Sequence, residues 1–328
     1  MIAIDIPERI GALDPDLVER FRAGLEDCGL GHKRLGVAVS GGPDSLALLL
    51  LANAASPGLI AAATIDHGLR QANADEAKMV EGVCRGLNVP HSVIKVELGA
   101  GNLQSAARAA RYEALGRWHD EVNVEAVLTA HHADDQAETF LMRLNRGSGL
   151  GGLAGIRRFE RIPGWGGHLH RPLLDWRKSE LEKIVRDAGI EPARDPSNED
   201  DRFDRSRMRK RLAEADWLDR AAIARSAAHL ADAEAIVDRL VQHEWDERVK
   251  RVGKSYVYRP SKPAYPNTIR LRVTERLIAE LGGDARGNAI ARLLDRLAKG
   301  EGGNLAGILV KVVGDVWRFE PEPPRKTG

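Results

Sequence analysis

Cysteine is scarce: Cys28 and Cys84 are the only two in 328 residues. Two thiols cannot supply a disulfide framework or a four-thiolate metal site, and such usage suits a reducing cytoplasm. A cytoplasmic location is therefore the expectation. The first thirty residues carry Asp5, Glu8, Asp14, Asp16 and Glu19 but no apolar signal core, so secretion is not expected. The longest apolar run, Leu46–Ala55, falls well short of the roughly 20 residues that cross a bilayer. No membrane role is expected either, and no internal repeat or low-complexity tract is evident.

What is present is the composition of a soluble enzyme. Hydrophobic residues make up 43% and charged residues 30%, near the roughly 45–50% and 25% of average domains, which excludes wholesale disorder. The length suggests two units, or one large unit with an appendage. The net charge of +1 hides an asymmetry: 20 Lys/Arg face 15 Asp/Glu from Trp217 onward, against 29 and 33 before it. Between Arg248 and Arg272 eight cations, Lys250, Arg251 and Lys254 among them, occur without one acid and alternate with Tyr256, Tyr258 and Tyr265. A polyanion could dock there, although a solvated basic loop has the same composition.

Asp14-Pro15 reads as an N-cap followed by proline at the first helical position, with Gly29 as the stop. Apolar strands at Leu35–Val39, Leu59–Ile65, His91–Val96 and Ala126–Ala130 then alternate with helices at Ser45–Asn53, Ala72–Leu87, Leu103–Val122 and Asp134–Arg146. That alternation predicts an α/β fold: a parallel sheet covered by helices on both faces. Ligands of such sheets bind beyond the carboxyl ends of the strands, which directs attention to Ser40–Ser45, Asp66–Arg70 and His131–Asp135. Gly147–Gly155, with five glycines in nine residues, reads as a movable connector without regular structure. Further on, a helix at Arg177–Ala188, a polar loop and a basic helix precede a long linking helix from about Asp219 to Lys250. A small α+β domain follows, with Asn267 and Asn288 as helix caps and a hairpin around Gly314-Asp315. The expected domains are 1–216, catalytic, and 217–328, the linking helix with the small domain.

Ser40-Gly41-Gly42-Pro43-Asp44-Ser45 places two glycines and two hydroxyls between a strand and a helix start. Backbone amides there can face an oxyanion, and the helix N-terminus adds about half a positive charge. A di- or triphosphate suits such a loop. It has neither the Lys-Ser/Thr ending of a Walker loop nor the three-glycine dinucleotide fingerprint. Asp44 would repel phosphates unless Mg²⁺ intervenes or the carboxylate caps the helix. Asp135 and Glu138, three apart at a helix start, project from one face and could hold an ammonium; capping the helix is the plainer alternative. His131 and His132 point different ways on any backbone, which disfavours a zinc site.

This loop resembles the pyrophosphate-binding SGGxDS loop of the N-type ATP pyrophosphatases, also called PP-loop enzymes. Three further stretches resemble the tRNA(Ile)-lysidine synthetase family within that superfamily: Ile65–Arg70, His131–Thr139 and Arg171-Pro172-Leu173-Leu174. Asp195-Pro196-Ser197-Asn198 with Arg205 and Arg209 resembles that family's polar loop and basic helix. Asp204–Arg209 here reads Asp-Arg-Ser-Arg-Met-Arg, where the family often carries Asn-Arg-Asn-Phe-Leu-Arg. The resemblance implies a PP-loop ATPase, Rossmann-like fold with a small tRNA-binding C-terminal domain. It implies ATP and Mg²⁺ as cofactors, with ATP at Ser40, Gly41, Gly42, Pro43, Asp44, Ser45, Asp66 and His67, and the metal at Asp44. It implies free L-lysine at Asp135 and Glu138, and tRNA at Asn198, Arg205 and Arg209; the basic stretch adds Lys250, Arg251 and Lys254 as the expected docking patch for the tRNA. Catalytic roles would fall to Asp44, Arg111, His131, His132, Asp135 and Glu138. The implied reaction adenylates C2 of the wobble cytidine of a CAU-anticodon tRNA(Ile) and then joins lysine to it.

A tRNA thiolase is the alternative on the same scaffold, but it would want paired cysteines, and no Cys-x-x-Cys is present. A glutamine-dependent synthetase would need an amidotransferase. A non-catalytic RNA-binding module leaves the glycine loop and the carboxylates unexplained. A homodimer is compatible with the sequence.

Overall fold

The computed structural model describes residues 12–66, 71–96, 103–162, 165–193, 204–261, 266–285 and 287–323. His67 and Asn198, with the rest of the His67–Arg70 and Asp195–Asn198 motifs, lie outside the described residues. So do Lys262 and Tyr265 of the basic stretch.

Helix α1 (Pro15–Asp27) begins where the Asp14 carboxylate accepts the Asp16 amide at 3.0 Å, with proline at the first helical position, and it buries Phe21 and Leu25. Strand β1 (Leu35–Ala38) follows, then α2 (Pro43–Ala55), β2 (Ile60–Asp66), α3 (Gln71–Gly86), β3 (His91–Lys95), α4 (Leu103–Val122), β4 (Ala126–Leu128) and α5 (Ala133–Leu144). Leu46 through Ala52 are all buried, so α2 is apolar around its whole circumference and runs inside the molecule. The strand order is β3-β2-β1-β4, every pair parallel; Leu35 lies opposite both Ile60 and Ala126.

Period-2 alternation assigns the two faces of this sheet. Leu35, Val37, Ile60, Ala62, Ala126 and Leu128 pack with α1 and α2, whereas Ala61, Ala63 and Val127 pack with Leu115 and Trp118 of α4. Helices therefore cover both faces, as the sequence predicts.

The sheet is not wholly parallel. Two further strands, β5 (Phe159–Arg161) and β6 (His168–His170), extend it in the order β4-β6-β5; β6 is parallel to β4, and β5 is antiparallel to β6 at the edge. At three residues each they carry too little alternation to read from sequence. Arg171, 1% exposed, fastens this edge by donating to the Arg157 carbonyl at 2.6 Å and the Glu160 carboxylate at 2.5 Å. The glycine-rich connector also departs from expectation, since it holds a short helix, α6 (Leu150–Leu153). Arg143 donates to the carbonyls of Gly152 and Gly155, and the Gln136 amide pairs with Ile156 in both directions. Side-chain bonds hold the segment that glycine content alone suggested would move.

Three more helices follow: α7 (Lys178–Asp187), α8 (Asp204–Glu214) and α9 (Arg220–Arg248). The chain divides into two compact units, Met1–Ala231 and Asp232–Gly328, with the boundary inside α9. The second unit has its own core. Its antiparallel sheet, in the order β7 (Val249–Val252), β8 (Ser255–Tyr258), β11 (Val316–Pro321), β10 (Ile308–Val313), β9 (Gly303–Leu305), packs against α10 (Asn267–Glu280) and α11 (Asn288–Ala298) through Tyr258, Phe319, Leu277 and Ile290. Strands β10 and β11 pair Val313 with Val316 across Gly314, whose φ of +63° suits glycine. Pro266 and Gly287 hold the N-cap positions, and Asn267 and Asn288 are the first helical residues, a one-residue shift from the expected caps. No helix among the described residues is long and apolar enough to cross a membrane.

Candidate active site

Strand order reverses between β1 and β4, and the loops leaving these two strands meet at that switch point. From β1 comes Ser40–Gly42, leading into α2. Gly41 has φ +86°, a conformation that favours glycine, and a Cβ there would sit 3.2 Å from the Met79 methyl and 3.5 Å from Ala193. The Gly41 carbonyl accepts the Ala193 amide at 2.9 Å. Among the described residues no hydrogen bond engages the amides of Gly41 or Gly42, and a Cβ on Gly42 would meet only Ser40 Oγ, at 3.7 Å. The loop is fixed from behind, and its two glycine amides carry no bond among the described residues.

Ser45 is buried and braces the turn rather than facing solvent: its hydroxyl accepts the Ser40 amide at 3.1 Å and donates to the Gly42 carbonyl at 3.0 Å. Pro43 opens α2. Asp44 follows, and its Oδ1 is buried with no hydrogen-bond partner. An orphaned carboxylate oxygen beside open backbone amides fits Mg²⁺, which is bound through one or two carboxylates plus substrate phosphates. No all-protein metal cluster occurs among the described residues. Asp66, half-buried, ends β2 at the same edge of the sheet.

The loop after β4 brings in His131, His132 and the start of α5. His132 is the hinge of the site. Its Nε2 lies 3.5 Å from Asp44 Oδ2 and 3.5 Å from Asp135 Oδ2, and its Nδ1 lies 3.7 Å from Asp134 Oδ2. Burial by itself would lower the His132 pKa, but the bond to Asp44 and the charges of Asp135, Asp44 and Asp134 outweigh it, and the net shift is upward. Asp135 caps α5 by accepting the His132 amide at 3.2 Å, so the plainer reading of its role holds alongside any other. Burial would raise the Asp135 pKa, yet the charges of His132, Arg205 and His131 bring it below the usual carboxylate value. For Asp134, burial is likewise outweighed by Arg220 at 2.8 Å and the Lys178 amide at 3.0 Å. Asp134 thus ties α5 to α7 and α9, a role the sequence did not suggest.

Glu138, 3% exposed, is the best-paired carboxylate: it accepts from Arg205 Nε at 2.9 Å and Arg209 Nε at 2.8 Å. Arg205 also reaches Asp135 at 2.9 Å. Two residues expected at an RNA surface are therefore turned onto the carboxylates expected to bind an amine. Hydrogen-bonded polar side chains here come from four helices, α2, α5, α8 and α9, and the loop after β4.

These shifts fix a pH window. The raised His132 pKa contributes stability that is fully present below about 6.5 and is lost as pH rises through its folded value. The lowered Asp134 and Asp135 pKa values contribute stability present above about 4 and lost as pH falls through theirs. The melting temperature should therefore peak in mildly acidic solution, and His132→Asn should remove the decline on the neutral side. An unchanged pH profile in that variant would contradict the charge bridge.

His131 is half-buried, with Nδ1 3.1 Å from Thr129 Oγ1. Arg111 is exposed on α4. Lys250 and Arg251 are adjacent in β7 and so project from opposite faces. The Arg251 guanidinium lies 5.9 Å over Tyr256, while Lys250 shares a cross-strand row with Val257, Arg318 and Lys311. Arg318 and Lys311 are cations that composition did not single out, although the alternation Trp317-Arg318-Phe319 carries the signal. Lys254 is exposed in the turn between β7 and β8. Cys84 is buried and its thiol is pushed up to about 12 by burial; burial also raises Cys28.

A mostly parallel sheet with a glycine cradle at its switch point and an aspartate at the head of the next helix defines a PP-loop nucleotide-binding protein. The PP-loop domain family model matches residues 13–216. The chain is 42% identical over 314 residues to a tRNA(Ile)-lysidine synthase of Novosphingobium aromaticivorans, covering 94% of each, and 40% identical over 299 residues to that of Zymomonas mobilis, covering 89% of this chain and 90% of the other. It belongs to the tRNA(Ile)-lysidine synthase family. Among solved structures, a U34-tRNA thiolase from Methanococcus maripaludis superposes with a TM-score of 0.56 at 17% identity, over 66% of this chain and 78% of that one, a likeness of fold alone.

Proposed function

We propose that this protein uses ATP to join free lysine to C2 of the wobble cytidine of a CAU-anticodon tRNA(Ile), through an adenylated cytidine, releasing AMP and pyrophosphate. The observation that carries this reading is the bridge from Asp44 through His132 to Asp135, which joins a phosphate cradle to an acidic cluster across 3.5 Å contacts. The family's name supplies the substrate.

The Gly41 and Gly42 amides and the α2 N-terminus would receive the phosphates. Mg²⁺ at Asp44 would offset their charge. The C2 oxygen of cytidine attacks the α-phosphorus and pyrophosphate departs. The lysine Nε then bonds to C2, and the C–O bond breaks, so that AMP leaves with the former C2 oxygen. Lysine's ammonium, with a pKa near 10.4, must first lose a proton. His131 or His132 takes that proton; against the opposing effect of burial, the carboxylates around His132 raise its pKa. Asp135 and Glu138 receive the ammonium by exchanging it for the arginines, and Arg111 offsets negative charge on the transferring group. RNA contacts fall to Asn198, Arg205, Arg209, Lys250, Arg251 and Lys254. An anticodon base is already unpaired, so reaching it requires little unstacking.

Incubation with ATP, radiolabelled lysine and a panel of tRNAs tests the assignment. Label on a CAU-anticodon isoleucine tRNA alone is expected; label on methionine tRNA, or none at all, contradicts it. Neutralising Lys250, Arg251 and Lys254 together should weaken tRNA binding and flatten its salt dependence, the slope of log K against log salt falling by about 0.9 for each duplex phosphate no longer neutralised. Unchanged affinity would remove that patch from the account.

A further inference from the structure

Helix α8 presents two different basic faces. Arg205 and Arg209 face the carboxylates of α5, while Asp204, Arg207, Met208 and Arg211, spaced three and four apart, share another face. That second face, Met142 in the last turn of α5, and Asn145 and Arg146 just beyond the helix line an open cavity of about 180 Å³.

Its size and charge limit what it can hold. It is smaller than the roughly 300 Å³ at which small-molecule sites begin and is open to solvent, which suits a small anionic group such as a phosphodiester. Three guanidinium groups line it against one carboxylate. Asp204 pairs with Arg146 at 2.9 Å and also with Arg207, and all three side chains are largely exposed, so these pairs are weak and exchangeable. Arg211, exposed, has no carboxylate partner among the described residues. Arginine's planar fork matches phosphate oxygens two at a time.

Position adds the second argument. Met142 lies one helical turn, about 6 Å, beyond Glu138 along α5, so a phosphate in the cavity sits next to the acidic cluster without entering it. We propose that this cavity is a phosphodiester subsite in which Arg146, Arg207 and Arg211 grip an RNA backbone phosphate beside the base delivered to the cluster. The subsite rests on the RNA-substrate reading given above.

The test is fluorescence anisotropy of a CAU anticodon stem-loop RNA against the full chain at 50 to 200 mM salt, without ATP or lysine. Arg207→Gln/Arg211→Gln should bind about tenfold more weakly at the lowest salt, with the slope of log K against log salt reduced by about 0.7 for one single-strand phosphate no longer neutralised. Arg207→Lys/Arg211→Lys should recover the slope but only part of the affinity. One neutral methylphosphonate next to the wobble base should weaken binding to the wild type and leave the Gln variant unaffected. Wild-type affinity and slope in the Gln variant, or an equal loss in the Gln and Lys variants, overturns the subsite alone. A wild type that binds no CAU stem-loop overturns the RNA reading as well.

Discussion

Asp44→Asn should reduce ATP-dependent modification at least a hundredfold while tRNA affinity stays within about twofold. The amide keeps the size of the side chain and the fold of the α2 N-terminus, so the glycine cradle is retained. What changes is charge. The buried, unpartnered Oδ1 is the atom placed to meet a cation, and removing one electrostatic contact to developing phosphate charge typically costs 10²–10³ in rate. His132 also loses a carboxylate that holds it toward the imidazolium, so the neutral-side decline of the melting curve should shrink. Labelled-lysine incorporation and filter binding on one preparation check both halves. An equal loss of modification and of binding would contradict the role given to Asp44.

Glu138→Gln should be the most destabilising single change in the site. Its carboxylate, 3% exposed, satisfies Nε of both Arg205 and Arg209; burial would lower the Arg209 pKa, but the Glu138 bond together with the charges of Glu138, Asp135 and Asp44 outweighs it and holds Arg209 more basic than usual. Breaking a buried pair by removing one partner costs about 3–5 kcal/mol, because the stranded charge stays desolvated; the partial exposure of the arginines, 44% and 36%, places the loss at the low end. A urea midpoint measures it, and an unchanged midpoint would contradict the pairing. In the folded fraction the half-saturating lysine concentration should rise more than tenfold and that of ATP less than twofold. The reverse order would argue against an amine pocket at these carboxylates.

The cradle and the first four strands were legible because their signals are local: two glycines after an apolar strand, proline and aspartate opening a helix, and apolar runs at sheet period. Which of the two glycines needs its freedom was not legible, since the positive φ of Gly41 is set by the fold of the turn. The two edge strands were not legible, since three residues cannot display a period, and the Arg171-Pro172-Leu173-Leu174 motif does not say that Arg171 is buried and fastens them. The pairing of Arg205 and Arg209 with Glu138 joins residues 67 and 71 apart in the chain, and nothing in a basic helix says that one of its faces turns inward. The same holds for Asp134, whose partners Lys178 and Arg220 lie 44 and 86 residues away. Local chemistry identified which side chains matter; long-range packing decided which of them meet.

Isotope transfer tests the central step most directly. With ¹⁸O at C2 of the wobble cytidine, attack of that oxygen on the α-phosphorus followed by displacement by lysine places the label in AMP, one atom for each lysine joined. Label retained in the RNA or released to water, with unlabelled AMP, would show that the base is never adenylated and would contradict the account.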